Sequence, residues 1–591
     1  MVTERRQEGR TGGHVSAHEQ ALRLLQGLWL GGIRDVVLSP GSRSTPLALA
    51  LHAADAAGDL RLHVRIDERS AGFLALGLAK GSRRPVAVVT TSGTAVGNLL
   101  PAVMEAHHTG HPLVVISADR PERLRGTGAN QTTIQAGIFG HFAPCHDLPP
   151  DAAAESLAAA AASACTRTGP TQLNLQLDGS LVPAEADPLS WWTRPETPGR
   201  LHHENPAVAE KSRTIAAPDH ENPATAEKMR PTELLLGPRT VVVAGDDAGP
   251  AARLLAEAAN WPLFAEPTSG ARIGRQAIRT YRLLLGTALR DEIERVVVIG
   301  HPTLSRPITG LISDAALEVI SVRDRTGVAT DPGRIARVLD VVPTLGGALS
   351  EHSTEGGAAL SERSTADGSW FERWRLADVA LSARIDDHLA AGTGSPLAIA
   401  TVIAEAVTAR TSLVLGSSNV VRDLDVMAQP WPPHEHRFVV GNRGLAGIDG
   451  FVSTATGIAL GRPEASRTIC YLGDVTLLHD INGLLIGPDE PRPDITFVVL
   501  NDDGGAIFTG LEQGAEEYAP AFERVFGTPH HTDLAALCAA RGIAHERISQ
   551  PERLADALRS QPSGIRLIEV PVSRTERRAE GLALRELARF A

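Results

Sequence analysis

The chain has 591 residues, 57 Lys+Arg against 69 Asp+Glu, and a formal net charge of −12. At roughly 150 residues per domain this length implies about three or four domains. The acidic balance argues against a general nucleic-acid binder, which needs a basic face, and no apolar run reaches the ~18 residues of a membrane span.

Only Lys80, Lys211 and Lys228 are lysines; the other 54 basic residues are arginines. Schiff-base chemistry and the phosphate-binding P-loop both need a placed lysine, so neither is expected. Arginine suits the bidentate capture of carboxylates. Cys145, Cys165, Cys470 and Cys538 are scattered without a CxxC pair, which argues against a disulfide framework or structural zinc and fits a reducing cytoplasm. The N-terminus, MVTERRQEGRTGGHVSAHEQ, lacks the apolar core of a signal peptide.

Taken in chain order, the first strands expected are DVVLSP (35–40), LHVRID (62–67), VAVVTT (86–91) and LVVISAD (113–119). The middle of the chain offers TVVVAGD (240–246), VVVIGHP (296–302) and LEVISV (317–322). The last part offers SLVLGSS (412–418), FVVGN (438–442), ICYLGD (469–474), FVVLND (497–502) and LIEVPV (567–572). Unbroken β-branched runs that end in Gly, Ser, Asp or Asn mark buried parallel strands. Alternation with helical patterns predicts an α/β class with doubly wound parallel sheets, whose ligands bind beyond the carboxyl ends of the strands.

Two repeats punctuate this pattern. HENPAVAEK (203–211) returns as HENPATAEK (220–228), and LSEHST (349–354) returns as LSERST (360–365). Neither carries apolar periodicity, so both read as linkers. The expected boundaries are therefore a module at 1–190, a linker at 191–234 and a central α/β domain at 235–345. A linker with a connecting helix at 346–389 and a last module at 390–591 follow. The first and last modules share their motif order: VVLSPGSRS with LVLGSSNVVR, VVTTSGT with YLGDVT, VVISAD with VVLNDD. One α/β module is used twice around a different middle.

Three signals carry chemistry. In GDVTLLHDINGLL…FVVLNDDGG, Asp474 follows one strand and Asn501–Asp502 the next, before Gly504–Gly505. Two hard oxygen ligands and a carbonyl at a Gly turn suit Mg²⁺; two ordinary strand-end turns are the alternative. Glu68 in RIDERSAGFLALGLA stands between a strand and an apolar helix, either as a functional carboxylate or as a helix-end charge. Arg43, Arg120, Arg306, Arg422 and Arg443 all fall in strand-end loops. GxGxxG, the P-loop, HExxH and GxSxG are absent. His107–His108 and His530–His531 read as surface or turn residues.

A duplicated module, a strand-end glutamate in the first copy and GD…ND in the last resemble the thiamine diphosphate-dependent enzymes. SPGSRSTPLALAL (39–51), DERSAGF (67–73), TSGTAVGNLLPAVMEA (91–106), GANQTTIQ (128–135), NRGLAGIDG (442–450) and NDDGGAIF (501–508) are similar to its menaquinone-pathway branch. The likeness covers nearly the whole chain outside the repeats. Two motifs depart from the family pattern: GDG reads GDV, and the NN pair reads Asn501–Asp502.

The resemblance implies thiamine diphosphate with Mg²⁺ (or Mn²⁺), and 2-oxoglutarate and isochorismate as substrates. The reaction implied is decarboxylation of the first and 1,4-addition of the resulting carbanion to the second. Glu68 becomes the catalytic carboxylate on the cofactor's aminopyrimidine. Ser417, Ser418, Ile448, Asp474 and Asn501 become cofactor contacts, and Asp474, Asp502 and Gly504 the metal ligands. Ser42, Arg43, Arg120, Gln131, Arg306, Ser418, Arg422 and Arg443 become substrate contacts. The first module, binding the pyrimidine, would face the diphosphate-binding last module of another copy, in a homodimer or dimer of dimers. Another thiamine diphosphate-dependent keto-acid lyase, or a catalytically dead relative, is the competing expectation.

Overall fold

All twelve apolar runs named above form strands in the computed structural model, which describes residues 15–196, 232–345, 357–390, 395–560 and 562–589. The HENPA repeat and LSEHST lie outside the described residues. Two compact units result: residues up to 197 with Leu485–Pro491, and the remainder.

The first unit is built on one parallel sheet. Its strands lie in the order Arg61–Val64, Asp35–Leu38, Val86–Thr90, Leu113–Asp119, Thr171–Gln176, Cys145–Leu148. Helix Ala17–Leu30 starts where Ser16 Oγ accepts the Glu19 N–H at 3.1 Å, a side-chain N-cap. It buries Ala17, Ala21, Leu24, Leu25 and Leu28 against Val36 and Leu38 of the sheet. That helical spacing of apolar residues is the reason it folds there. The segment Leu485–Pro491, expected with the last module, belongs to this unit, where Glu490 Oε2 accepts the Val64 N–H at 2.7 Å.

Besides a two-stranded sheet that pairs Glu233–Leu234 with Thr344–Leu345, the described residues of the second unit form two larger sheets. The central one runs Arg337–Leu339, Glu318–Val322, Arg295–Ile299, Thr240–Ala244, Leu263–Ala265, all parallel. The other runs Phe438–Val440, Thr411–Leu415, Arg467–Gly473, Ile495–Asn501, Ile565–Pro571, Ala544–Arg547. Numbered within each module, the first and last sheets share the order 2-1-3-4-6-5. The duplication read from motif order is thus a duplication of topology. Each sheet reverses its winding between its first and third strands, the switch point where α/β sheets open a crevice for ligands.

Helix Gly357–Ala390 includes the LSERST repeat, read above as linker. Further along it, Trp370, Phe371 and Trp374 are buried in the core of the second unit. Trp374 packs on Phe264 with ring centroids 4.8 Å apart, and Phe264 stacks on Tyr281 at 5.4 Å.

Candidate active site

In the first unit the expected residues gather on the carboxyl edge of one sheet. Ser42 and Arg43 follow its first strand, Glu68 its second, and Arg120 its fourth. Asp67 caps helix Glu68–Ser82 by accepting the Arg69 and Ser70 N–H groups. Glu68 therefore occupies the first helical turn with its carboxylate free of the capping task. It is half-buried, and Asn98 Nδ2 donates to its Oε2 at 3.1 Å. Gly72 lets the helix approach its neighbour, since a Cβ there would meet Ala102 Cβ at 2.9 Å. Arg120 Nη1 donates to Ser92 Oγ (2.7 Å) and to the Gln131 carbonyl (2.9 Å). Gln131 sits at φ 53°, so its backbone turns toward the arginine while its side chain stays exposed. Arg43 is anchored on the Leu177 carbonyl at 3.1 Å; burial and then the nearby Arg120 charge lower its pKa.

The last sheet collects the other expected set. Ser417, Ser418 and Arg422 follow its first strand, Arg443 and Ile448 its second, Asp474 its third, and Asn501, Asp502 and Gly504 its fourth. The first, third and fourth strands are neighbours, so their ends lie within about 10 Å of one another. Ser418, at φ 73°, turns the chain into helix Asn419–Met427. Ser417 Oγ is buried there without a hydrogen-bond partner.

Asp474 is buried, with Oδ1 taking the Val475 N–H (2.7 Å) and Oδ2 the Gly504 N–H (2.9 Å). His530 Nε2 also reaches Oδ2 at 3.0 Å. The Thr532 N–H donates to His530 Nδ1 at 3.0 Å, so Nε2 carries the proton and donates to the carboxylate. Both lone pairs of Oδ2 are then engaged, and Oδ1 keeps one free. Asp502 Oδ1 is buried without a partner. Burial, and then the charge of Asp474, push the Asp502 carboxyl up to about 7. A desolvated carboxylate pair that resists joint ionisation matches a divalent cation. Gly504 is dictated by packing: at φ +143° its Cβ would lie 2.0 Å from the Gly527 carbonyl. Asn501, expected on the cofactor, donates its side-chain amide to Glu569 Oε1 at 3.0 Å and accepts the Asp503 N–H at 3.1 Å.

Above the first two strands lies an arginine cluster. Arg443 is fully buried and donates to Thr303 Oγ1 at 2.8 Å. Arg422 Nη1 closes on the Ser418 carbonyl at 2.6 Å, and Arg282 Nη2 donates to the Arg422 carbonyl at 3.1 Å. Burial, then Arg282 and Arg443, bring the Arg422 guanidinium down to about 10. Asp425 stands 3.8 Å from Arg282, whereas neither Arg422 nor Arg443 has a carboxylate within ion-pair distance among the described residues, a setting that suits an anion. Arg306 stands apart: it is exposed and forks onto Glu512 at 2.5 and 3.0 Å.

Sequence reasoning missed Arg282, Glu266, Asp425 and His530. His530, read as a surface or turn residue, is at the acid pair, and its pairing with a position 56 residues away left no local signal. Among the described residues no three His, Cys, Asp or Glu side chains group as metal ligands, so a metal here rests on the two aspartates and backbone oxygens.

Two family models match: the thiamine pyrophosphate enzyme N-terminal TPP binding domain over residues 23–138 and its C-terminal counterpart over 425–570. A benzoylformate decarboxylase from Polynucleobacter necessarius shares the fold, with TM-score 0.62 and 17% identity over 95% of this chain and 99% of that one. The two family models place the chain among the thiamine diphosphate-dependent enzymes. A 2-succinyl-5-enolpyruvyl-6-hydroxy-3-cyclohexene-1-carboxylate synthase of a Nocardioides species is 48% identical over 95% of this chain and 96% of its own length. Its namesake from Paenarthrobacter aurescens is 46% identical, covering 94% of each chain. The chain belongs to the 2-succinyl-5-enolpyruvyl-6-hydroxy-3-cyclohexene-1-carboxylate synthase family.

Proposed function

We propose that this transferase joins 2-oxoglutarate, with loss of CO₂, to isochorismate in menaquinone biosynthesis. The observation that carries the substrate assignment is the cluster formed by half-buried Arg422 and buried Arg443 on the carboxyl edge of the last sheet, with half-buried Arg282 of helix Tyr281–Leu284 against Arg422. Both substrates are dicarboxylates, and guanidinium forks bind carboxylates bidentately. A smaller monocarboxylic keto acid would leave part of that charge unanswered.

The residues present fit thiamine diphosphate with Mg²⁺ (or Mn²⁺). The orphaned Asp502 Oδ1 and the free lone pair of Asp474 Oδ1 would hold the metal, together with a backbone carbonyl at Gly504. The orphaned Ser417 Oγ, at the positive end of helix Asn419–Met427, would meet the diphosphate. When bound, the cofactor supplies the thiazolium carbon that carries the charge left as CO₂ departs.

Glu68 would share a proton with the ring nitrogen of the aminopyrimidine, and Asn98 would hold its carboxylate in place. Ile448, half-buried beyond the second strand, would support the bent cofactor. Ser418, Arg422 and Arg443 would orient one substrate, joined by Arg306 if Glu512 releases it; Ser42, Arg43, Arg120 and Gln131 would orient the other.

The two sets come together when the first unit of one copy faces the second unit of another, as a homodimer or dimer of dimers. Ile66 and Ile134, 76% and 85% exposed, flank the Glu68 and Gln131 segments and favour such a partner surface. Among the described residues no helix is long and apolar enough to cross a membrane. All four cysteines are free, which supports a reducing, cytoplasmic setting.

The test is to mix purified protein with thiamine diphosphate, Mg²⁺, 2-oxoglutarate and isochorismate, and follow isochorismate absorbance. Loss that requires all four components supports the reading. Turnover of 2-oxoglutarate without isochorismate loss would favour a sister lyase, and cofactor binding with no turnover a dead relative.

A further inference from the structure

One buried acid faces the arginine cluster without a role in the reading above. Glu266 follows strand Leu263–Ala265 and is 2% exposed. Its backbone is fixed by the sheet, its N–H donating to the Ala244 carbonyl at 2.9 Å. Its carboxylate accepts the Leu304 N–H at 2.9 Å and the Thr303 N–H at 3.4 Å. Thr303 in turn accepts Arg443 through its hydroxyl at 2.8 Å. Three residues further on, Arg306 begins helix Arg306–Ile312. One carboxylate therefore fixes a loop that holds Arg443 at one end and launches Arg306 at the other.

The other acids of the cluster are engaged differently. Asp425 takes Tyr281 Oη (2.9 Å) and Arg272 (3.2 Å), and Asp423 takes Arg577 at 2.6 Å. Glu266 has no guanidinium within ion-pair distance among the described residues, so it acts on Arg443 through Thr303, whose N–H it accepts and whose hydroxyl accepts Arg443. Arg443 is the first attractive charge on its titration, though burial outweighs it and pushes the carboxyl up to about 7. Retaining so expensive a carboxylate where a neutral acceptor would serve the two amides points to the charge itself.

We propose that Glu266 is a positioning residue for substrate recognition, setting the Thr303–Arg306 loop and the Arg443 guanidinium in one geometry for a dicarboxylate. This rests on the reading of Arg443 as a substrate contact. A purely structural carboxylate would instead serve only to satisfy two loop amides.

The test compares Glu266→Gln, Thr303→Val and Arg443→Ala in the full-length enzyme loaded with thiamine diphosphate and Mg²⁺. KM is measured for 2-oxoglutarate and isochorismate separately, with cofactor affinity by calorimetry and melting temperature alongside. Glu266→Gln keeps an acceptor for the Leu304 amide and removes the charge. It is expected to raise, about tenfold, the same KM that Arg443→Ala raises, the scale of one charge-assisted contact. kcat and cofactor affinity should stay near wild type, with the melt serving only to show that the variant folds. Thr303→Val leaves Glu266 in place and cuts the link to Arg443, so it should reproduce that KM effect even if Glu266→Gln folds poorly. If Arg443→Ala raises a KM while Glu266→Gln and Thr303→Val leave it unchanged, the proposal is overturned and the substrate reading stands. If Arg443→Ala moves neither KM, the substrate reading falls and the proposal with it.

Discussion

Replacing Arg272 by methionine should loosen the helix that presents Arg422. Arg272 is fully buried in the second unit. Its Nη1 donates to the Ala265 carbonyl at 2.7 Å and Asp425 Oδ1 at 3.2 Å, and its Nη2 to the carbonyls of Asp425 (2.6 Å) and Ala428 (2.8 Å). Asp425 and Ala428 lie at the end of helix Asn419–Met427, where the last carbonyls have no intrahelical donor. The guanidinium is thus the C-terminal cap of that helix. Methionine keeps most of the stem volume but strands the carbonyls and leaves Asp425 with Tyr281 Oη at 2.9 Å and Arg282 at 3.8 Å. Breaking a buried pair by deleting one partner costs about 3–5 kcal/mol. In a unit of this size, where each kcal/mol moves the midpoint by only about 1 °C, that is a fall of about 3–6 °C in apparent melting temperature. Thermal unfolding by circular dichroism measures it, and the KM governed by Arg422 should rise in parallel. Asp425→Leu added to Arg272→Met should recover part of the loss, because the pair is coupled. A single-mutant loss under about 1 kcal/mol, or strict additivity in the double mutant, would refute the cap.

Asp502→Asn should fold, and calorimetry should show at least about a hundredfold weaker Mg²⁺-dependent binding of thiamine diphosphate, since a hard cation needs anionic oxygen; unchanged affinity would remove Asp502 from the ligand set. His530→Ala should weaken the same binding about tenfold by freeing the Asp474 carboxylate, an effect absent if the contact is incidental. Glu68→Gln should fold and bind cofactor yet slow exchange of the thiazolium proton at least about tenfold; wild-type exchange would leave Glu68 a helix-end charge. Burial raises Glu266 from 4.5 to about 7, so between those values the folded chain keeps a proton that the unfolded chain sheds. That contribution favours folding at low pH and is lost as pH climbs from 4.5 to about 7, a change of roughly 3 kcal/mol. Denaturant melts of wild type against Glu266→Gln should show the difference shifting by that amount between pH 5 and 8, and a pH-independent difference would contradict it.

Most of the twelve strands first picked out were legible because they are shielded on both faces, which continuous β-branched runs mark; the edge strands Arg61–Val64 and Phe438–Val440 are only partly buried. Glu68, Asp474, Asp502 and the loop arginines could be singled out as candidates because parallel α/β sheets bind ligands where those runs end. Thr171–Gln176, TQLNLQ, was not. Its alternation suggests one wet face, yet all six residues are buried. Asn174 bridges Asp119 (3.0 Å) and Asp147 (2.7 Å), and Gln172 reaches Ser117 at 3.0 Å. A polar side chain can be buried when a distant partner satisfies it, and such partners have no trace in a local window. The same reason hid His530 on Asp474, Glu266 under the Thr303 loop and Arg272 at the helix end. Residue order alone gave away the strands marked by continuous apolar runs and the recurrence of one module at both ends of the chain. Only the tertiary structure decided which polar groups meet, because each of those pairings joins residues tens to more than a hundred positions apart.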